Sequence, residues 1–397
     1  MIAIMIIHGK IVQKDRIRRG YLRIGGAVVT GISEKPPEQE KDEVFLDFPN
    51  DYVMPGFVDL HTHGSGGSDF MDGTARDIVN AAQSLARHGT TTCLPTTLTS
   101  SDDDLLLFLK NLAEVMQRQR NNELFPCARM PGAHLEGPYF DMVEKGAQDE
   151  RYIRNPSPDH YNMILEKANG LIRRWSVAPE LPGAMDFIEE AVRQGIVVSA
   201  AHTAATYDDI SRAFDKGLCL LTHFYSGMST ITRRGGFRIP GTVESGYLID
   251  NLNIELICDG LHLPTPLLEM IFKLKDHSRI IACSDSMRGA GMPDGPSVLG
   301  PLKNGTACIV EDGIAKLPDR SAFAGSVATG DRLARTLHMI CGLEMDEVAR
   351  ILCLQPAAII GMDGEIGSLE NGKRADIVVC NDELQIRKVF IDGRVVV

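Results

Sequence analysis

Apolar runs and amphipathic stretches alternate through most of the chain. Between Tyr52 and Gly364, β-branched runs are separated mainly by segments whose apolar residues recur with helical periodicity. The eight runs end, in order, near Asp59, Leu94, Leu135, Val177, Ala200, Leu221, Ile257 and Cys283. Strand–helix units in this succession predict an α/β fold, a parallel (β/α)8 barrel of the TIM type, with its active groups at the carboxyl ends of the strands.

Helix boundary signals support this alternation. Amphipathic patterns predict helices over residues 77–86, 105–116 and 185–193. Ser101, ahead of three aspartates, predicts the N-cap of the second helix, and Thr206 with Asp209 predicts a capping box on a further one. The link between the sixth and seventh strands, 224–253, is long and glycine-rich, so we expect a functional loop there rather than a helix.

The two ends of the chain are alike and differ from the middle. Short β-type runs separated by turn residues lie at 4–7, 21–24 and 27–29, and again at 376–379, 389–391 and 395–397. Neither group is large enough for a stable sheet alone. We therefore expect the two groups to pair into one small β-sandwich domain. This divides the chain into residues 1–52, a catalytic barrel over 53–364, and residues 365–397.

Length, charge and cysteine content narrow the classes of protein. The chain has 397 residues, enough for one barrel of about 250 residues and a smaller domain. Its formal net charge is -12, and an acidic surface repels nucleic acid and anionic membranes, so neither is an expected partner. The nine cysteines form no C-x-x-C pair, which favours buried thiols in the cytoplasm. The apolar opening, Met1 to Ile7, is too short to span a bilayer and lacks a basic leader.

Histidine and acidic side chains mark the ends of five predicted strands. His61 and His63 close the first strand, Glu136 the third, His202 the fifth, His223 the sixth and Asp285 the eighth. Two histidines at i and i+2 in a strand face the same side, here the barrel interior. An H-x-H pair alone also fits a structural role, but the full set predicts a site for zinc, or for iron, manganese or cobalt. His134 is expected to hydrogen-bond inside the barrel rather than to bind the metal.

Such a site predicts hydrolysis of a substrate such as an amide. A divalent ion lowers the pKa of water that it binds and polarises a carbonyl group. Besides Glu136, Asp285 is the acidic residue at a strand end, so we assign it the proton transfer, with metal ligation as its competing or additional role.

Six motifs carry a resemblance to a known family. They are Pro55-Gly-Phe-Val-Asp-Leu-His-Thr-His63, His134-Leu-Glu-Gly-Pro138, Ala201-His-Thr-Ala204, Cys258-Asp-Gly-Leu-His262, Ser284-Asp-Ser286 and Phe323-Ala-Gly-Ser326. Over essentially its whole length, the chain resembles the N-acetylglucosamine-6-phosphate deacetylase family, within the amidohydrolase superfamily. The resemblance implies a homodimeric, metal-dependent deacetylase that converts N-acetylglucosamine 6-phosphate to glucosamine 6-phosphate and acetate.

The resemblance also implies roles for individual residues. The implied metal ligands are Glu136, His202 and His223 for the main catalytic ion, and His61 and His63 for a second ion. Asp285 matches the family's catalytic aspartate, and Arg238 and His262 match groups that contact the substrate phosphate. In dimers of this family, the neighbouring subunit can supply part of the phosphate site.

Three departures from the family pattern fall in the substrate-facing region. Gln148, at the end of Lys145-Gly-Ala-Gln148, stands where the family has a histidine that touches the sugar or the acetyl group. Ser226 and Gly227 replace the family's asparagine and alanine, and Arg233 to Gly236 is also unusual. We expect Gln148, Ser226 and Gly227 to contact the substrate. The alternatives left open are an N-acetylgalactosamine or N-acetylmannosamine phosphate, another N-acyl or cyclic amide, and a barrel that has become a non-catalytic binding protein.

Overall fold

The computed structural model describes residues 4–38 and 43–397. Residues 1–3, with which the apolar opening begins, lie outside the described residues. Across the described ranges, no helix combines the length and the apolar character needed to cross a membrane.

Eight parallel strands form a closed barrel within the described part of the chain. They are β5 (Phe57–Thr62), β8 (Thr90–Pro95), β9 (Ala133–Glu136), β10 (Ile172–Val177), β11 (Val197–Ala200), β12 (Leu220–Leu221), β15 (Asn253–Ile257) and β16 (Ile280–Cys283). Six of them, in the order β9-β10-β11-β12-β15-β16, make one sheet, and β5 pairs with β8. Parallel bridges Thr96–His134 and Thr62–Ser286 close the ring. The predicted barrel is thus confirmed, and its strands end within a few residues of the predicted positions.

Helices surround the barrel. They are α1 (Ala75–Arg87), α2 (Asp102–Arg120), α3 (Pro158–Ala168), α4 (Ala184–Arg193), α5 (Tyr207–Asp215), α6 (Thr242–Leu248), α7 (Thr265–Leu274), α8 (Gly330–Arg335), α9 (Met345–Ala349) and α10 (Gln355–Ile359). A 3-10 turn spans His277–Arg279, and π-helical segments Thr336–Ile340 and Arg350–Leu354 extend α8 and join α9 to α10. The predicted helices are confirmed as α1, α2 and α4. So are the N-cap at Ser101 and the capping box of Thr206 and Asp209 on α5.

The segment between β12 and β15 differs from its prediction. It contains an exposed hairpin, β13 (Thr232–Arg234) and β14 (Phe237–Ile239), followed by helix α6. The expectation of a loop without a helix was therefore wrong for Thr242–Leu248. The carboxylate of Glu244 accepts the backbone N–H of Gly241 at 2.7 Å, which satisfies a donor at the helix start. A helix of two turns is too short for its periodicity to stand out in a glycine-rich segment.

The two ends of the chain pair with each other beside the barrel, as predicted, and their described strands join in one seven-stranded sheet instead of the two sheets of a sandwich. Its strands are β1 (Met5–Val12), β2 (Ile17–Gly25), β3 (Val28–Ser33), β4 (Val44–Pro55), β20 (Ile377–Cys380), β21 (Ile386–Ile391) and β22 (Arg394–Val395). The order β22-β21-β20-β4-β1-β2-β3 places the C-terminal strands next to β4. The sheet is continuous and encloses a core that includes Ile7, Leu22, Ile377 and Phe390. The domain limits at 52 and 364 stay a prediction.

Two small antiparallel elements lie near the carboxyl ends of the barrel strands. A hairpin of β6 (Gly64–Ser65) and β7 (Ser68–Asp69) follows β5, and a three-stranded sheet of β17 (Gly295–Leu299), β18 (Thr306–Glu311) and β19 (Ile314–Lys316) follows β16. Met287, Leu299, Cys308 and Val310 give the three-stranded sheet a core of its own. This insertion forms one wall above the barrel mouth.

Candidate metal centre

The six histidine and acidic residues predicted from the strand ends lie together at the mouth of the barrel. His61 belongs to β5 and Glu136 ends β9, whereas the other four follow β5, β11, β12 and β16 within two residues: His63, His202, His223 and Asp285. All six are buried. Five of them line a cavity of about 220 Å³, and His61 lies beneath it. The structure therefore brings the whole predicted set to one place.

The first group of donors is Glu136, His202 and His223. The Nε2 atoms of His202 and His223 lie 3.2 and 3.1 Å from Oε1 of Glu136. Nδ1 of His202 lies 2.9 Å from the carbonyl oxygen of Glu144. Because a carbonyl only accepts, Nδ1 of His202 carries the hydrogen, and its Nε2 turns a lone pair toward the cavity. The three donor atoms lie within 4.8 Å of one another, close enough to hold one ion.

The second group is His61, His63 and Asp285. Oδ1 of Asp285 lies 3.3 Å from Nε2 of His61 and 3.2 Å from Nε2 of His63. Glu136 also faces this group, with its two carboxylate oxygens 3.6 and 3.4 Å from the same two nitrogens. Glu136 thus stands between the two groups.

Electrostatics at the centre favour positive charge. Burial alone would raise the pKa of Glu136, but His61, His202 and His223 hold that pKa well below its ordinary value. His61 and His63 likewise lower the pKa of Asp285 against the effect of burial. Burial lowers the pKa of His61, yet Asp285 and Glu136 outweigh it and raise the pKa to about 10. A divalent cation supplies the charge that two buried carboxylates require.

The backbone is strained at three of these residues. His202, His223 and Asp285 have φ angles of 46°, 30° and 45°, in the left-handed region that residues other than glycine seldom adopt. Such a conformation costs about 1–3 kcal/mol and persists only where neighbouring contacts impose it. With these φ angles the backbone leaves β11, β12 and β16, and the three side chains turn into the cavity.

A third group of possible donors lies deeper, but its chemistry does not suit an ion. It consists of His61, Glu255 and Cys283. Both carboxylate oxygens of Glu255 accept hydrogen bonds from the buried guanidinium of Arg174. Burial raises the pKa of the Cys283 thiol well above its ordinary value, so it remains protonated. The donors that fit a first-row divalent metal are therefore those of the upper two groups, with imidazole nitrogens and carboxylate oxygens.

His134 faces the barrel interior without joining either group. Its Nε2 lies 2.7 Å from the hydroxyl of Ser176, and its Nδ1 lies 3.3 Å from the hydroxyl of Thr96. Burial and Arg174 hold its pKa well below the ordinary value, so the ring is neutral. The predicted structural role of His134 is confirmed.

Four of the five predicted substrate contacts line the cavity: Gln148, Ser226, Gly227 and His262. The amide of Gln148 is oriented by the protein. Its oxygen accepts the backbone N–H of Thr99 at 2.8 Å, and its nitrogen donates to Oε2 of Glu136 at 2.8 Å. One N–H of this amide remains for a substrate. His262 donates from Nδ1 to Asp259 at 2.7 Å and rests edge-on against the ring of Phe323.

Gly227 explains one departure from the family pattern. Its φ angle is 56°, and a Cβ at this position would lie 2.8 Å from Nδ1 of His202 and 3.0 Å from the carbonyl oxygen of Glu144. An alanine would therefore displace the imidazole or its hydrogen-bond partner. The glycine allows the loop after β12 to pack directly against His202.

Arg238 does not line the cavity of its own chain. It lies on the exposed hairpin, where Arg233 is its cross-strand neighbour and Arg234 pairs with Phe237. Like charges on directly opposed residues destabilise a hairpin unless an anion or a partner compensates them. Phe237 is 78% exposed and Ile231 is 53% exposed, so the hairpin also presents apolar surface.

Several cavity residues were not predicted from the sequence. Leu98, Ile257, Leu299 and Phe323 supply an apolar wall opposite the polar groups. Phe323 belongs to a motif that carried the family resemblance, which was a signal that this segment lies at the site. Leu98 and Leu299 gave no signal, because an isolated leucine reads as core.

Comparison with known proteins agrees with this geometry. A model described as the amidohydrolase family matches residues 52–396. The chain is 31% identical over 373 residues to N-acetylgalactosamine-6-phosphate deacetylase of Escherichia coli O157:H7, covering 94% of this chain and 93% of the relative. It is 29% identical over 387 residues to N-acetylglucosamine-6-phosphate deacetylase of Bacillus subtilis (strain 168), covering 97% and 94%.

A solved structure is similar over the full length. N-acetyl-D-glucosamine-6-phosphate deacetylase from Mycobacterium smegmatis, determined as a mutant in complex with N-acetyl-D-glucosamine-6-phosphate, superposes with a TM-score of 0.89 at 30% identity, covering 100% of both chains. The chain therefore belongs to the amidohydrolase family and, within it, to the N-acetylglucosamine-6-phosphate deacetylase family. It is a hydrolase.

Proposed function

We propose that this enzyme removes the acetyl group from N-acetylglucosamine 6-phosphate, giving glucosamine 6-phosphate and acetate. The observation that carries the proposal is the buried centre in which Glu136 stands between two groups of donors, beneath a cavity lined by His262 and Gln148. The names of the relatives from Bacillus subtilis and Mycobacterium smegmatis support the choice of substrate.

We propose zinc as the metal, since imidazole and carboxylate are its common ligands in hydrolases. Glu136, His202 and His223 would hold one ion, and His61, His63 and Asp285 would face a second. When bound, a divalent cation activates water and polarises the amide carbonyl of the substrate. Activation of the water and polarisation of the carbonyl would then require no residue outside the centre.

Asp285 is the proposed proton carrier. Its carboxylate lines the cavity and is ionised in the buried centre, because His61 and His63 lower its pKa. It can therefore accept a proton from the attacking water and pass it to the amine as the C–N bond breaks. Proton transfer by a positioned carboxylate contributes about 10²–10⁴ in rate.

The apolar wall and Gln148 complete the proposed acetamide site. Leu98, Leu299 and Phe323 supply an apolar part of the cavity lining. The remaining N–H of Gln148 is a neutral donor for an acetyl oxygen or a sugar hydroxyl. Because the amide is fixed by Thr99 and Glu136, the donor is oriented before substrate binds.

We propose that the phosphate site is completed in a homodimer. The planar guanidinium of Arg238 suits phosphate oxygens, but the hairpin that carries it is exposed to solvent and does not line the cavity of its own chain. Its exposed Phe237 and Ile231 are apolar surface that a second protomer would cover. His262 would meet the phosphate from within the chain.

We place the enzyme in the cytoplasm, because all nine cysteines are free thiols.

N-acetylgalactosamine 6-phosphate is a second candidate substrate. The relative from Escherichia coli O157:H7 carries that name, and Ser226 with Gly227 alters the loop next to the sugar. The two sugars differ only in the orientation of one hydroxyl group, and we propose that this loop contacts that hydroxyl.

The experiment is amine release by zinc-loaded protein from N-acetylglucosamine 6-phosphate, N-acetylgalactosamine 6-phosphate, N-acetylmannosamine 6-phosphate and unphosphorylated N-acetylglucosamine. We expect the gluco phosphate to be turned over with the highest kcat/KM. A higher value for the galacto phosphate would reassign the substrate. No release from any of the four by metal-loaded protein would refute the proposed function.

A further inference from the structure

A polar network fills the barrel beneath the metal centre, in a lumen that barrels of this type usually fill with apolar side chains. Arg174 on β10 and Glu255 on β15 are both fully buried and bind each other through two hydrogen bonds. The guanidinium also donates to Ser199 Oγ at 3.1 Å, Thr222 Oγ1 at 2.8 Å and the carbonyl oxygen of Leu60 at 3.3 Å. Neither residue touches the cavity above.

Glu255 connects this network to both donor groups. Its Oε1 lies 3.1 Å from Nδ1 of His61 and accepts the backbone N–H of His223 at 3.2 Å. A carboxylate paired with a guanidinium only accepts hydrogen bonds, so Nδ1 of His61 must carry the hydrogen. In the neutral ring that would bind a cation, the lone pair of Nε2 then faces His63 and Asp285, and Nε2 lies 3.3 Å from Nε2 of His63 and from Oδ1 of Asp285.

We propose that Glu255, held by Arg174, is a positioning residue that fixes the tautomer and orientation of His61 and so creates the second cation position of this enzyme. The inference rests on the proposed metal centre. Within the described ranges, only His61 and His202 of the four centre histidines have a hydrogen-bond partner on Nδ1, and His61 alone has a carboxylate there. Nδ1 of His63 and of His223 is buried and has no partner among the described residues. Hydrogen bonds of this kind on a ligating histidine change metal affinity by about 10–100-fold.

The backbone contact extends the role to the first group. His223 adopts a φ angle of 30°, and its N–H is directed at Glu255. The carboxylate therefore helps to impose the strained conformation that turns His223 toward Glu136. We expect loss of Glu255 to weaken the ion at His61 and His63 more than the ion at Glu136, His202 and His223. The reason is that His61 loses its carboxylate partner on Nδ1, whereas the His223 side chain keeps its contact with Glu136 through Nε2 at 3.1 Å.

The test measures metal binding, independently of activity. Zinc affinity is measured by competition with a chromophoric chelator, and the cobalt-substituted protein is followed by its visible absorption. His61→Asn identifies the ion that belongs to the second group. The variant Glu255→Leu combined with Arg174→Met removes both charges together, so no unpaired buried charge is left to unfold the barrel. Ser199→Ala is the matched control, because it removes a bond to Arg174 and leaves Glu255 and His61 joined.

We expect the double variant to keep a wild-type thermal unfolding transition, and to bind the second ion about 10–100-fold more weakly with an altered cobalt spectrum. Ser199→Ala should bind both ions as the wild type does. Wild-type affinity for both ions in the double variant would overturn the proposal. The proposal would also be overturned if the wild type binds a single ion and His61→Asn binds that ion equally well. In that case amine release would still test the proposed deacetylation separately.

Discussion

The floor of the cavity, which consists of the six histidine and acidic residues of the metal centre, differs in construction from the hairpin β13–β14. On the floor, the carboxylates and imidazoles are buried, and fixed partners hold two of them: Glu255 holds His61, and Gln148 holds Glu136. On the hairpin, two arginines oppose each other in solvent, and Phe237 is left uncovered. In the function proposed above, one chain supplies all the hydrolytic groups, whereas recognition of the substrate phosphate would depend on a second protomer that covers the hairpin.

Removing the metal should have the largest effect, because it disables the floor and leaves the hairpin untouched. Dialysis against a strong chelator should abolish amine release, and added zinc should restore it. Far-UV circular dichroism should stay unchanged, since the barrel core does not depend on the ion. Full activity in metal-free protein, checked by elemental analysis, would contradict the assigned centre.

Asp285→Asn tests the floor without removing the metal. We expect the variant to fold and to keep the ion at Glu136, His202 and His223, while kcat falls by about 10²–10⁴ because the amide cannot accept a proton. Zinc content by elemental analysis is the accompanying measurement. Near-wild-type kcat in metal-loaded Asp285→Asn would remove this residue from the proton transfer.

Arg238→Ala tests the hairpin. We expect KM for the phosphorylated sugar to rise about 10–100-fold, in keeping with the loss of a charge-assisted contact of about 1.5–3 kcal/mol. KM for the unphosphorylated sugar should stay the same. Arg193→Ala is the matched control, because Arg193 lies exposed on α4 and pairs with Glu190. An equal rise of KM for both sugars would take Arg238 out of the phosphate site.

Mixing Asp285→Asn with Arg238→Ala tests whether the hairpin of one protomer serves the cavity of the other. If one protomer supplies Arg238 to the cavity of the other, a hybrid dimer of Asp285→Asn and Arg238→Ala chains contains one intact site. Refolding the two variants together should then restore part of the lost activity. A mixture no more active than the sum of its components would show that Arg238 serves its own chain.

Gly227→Ala should have the smallest effect, because it disturbs the floor only through the loop. The new Cβ lies 2.8 Å from Nδ1 of His202, and the backbone there has a φ angle of 56°. Strain of about 1–3 kcal/mol should weaken zinc binding by roughly 10-fold to 100-fold at most. Chelator competition measures the change. Ser226→Ala is a control that adds no atoms, and unchanged zinc affinity in Gly227→Ala would show that the loop moves freely.

The barrel and its donor set could be predicted because both depend on local sequence. Strand length and composition marked eight strand ends, and unusual residues at those ends marked His61 and Asp285. Arg174 and Glu255 were not recognised, because they lie 81 positions apart and each resembles an ordinary strand residue until the barrel closes. The bonds from Gln148 to Thr99 and Glu136 were likewise invisible, since a loop glutamine does not indicate where its amide points.

The shared terminal sheet has a consequence for how the chain is made. Strands β1 to β4 leave the ribosome more than 300 residues before β20, which must pair with β4. The edge of β4 stays open while the whole barrel is translated. A stop codon shortly before Asp376 would leave that edge permanently uncovered, although each residue of the centre would already be in place. The residues from Asp376 onward thus cover the edge of β4 only after every residue of the centre has been synthesised.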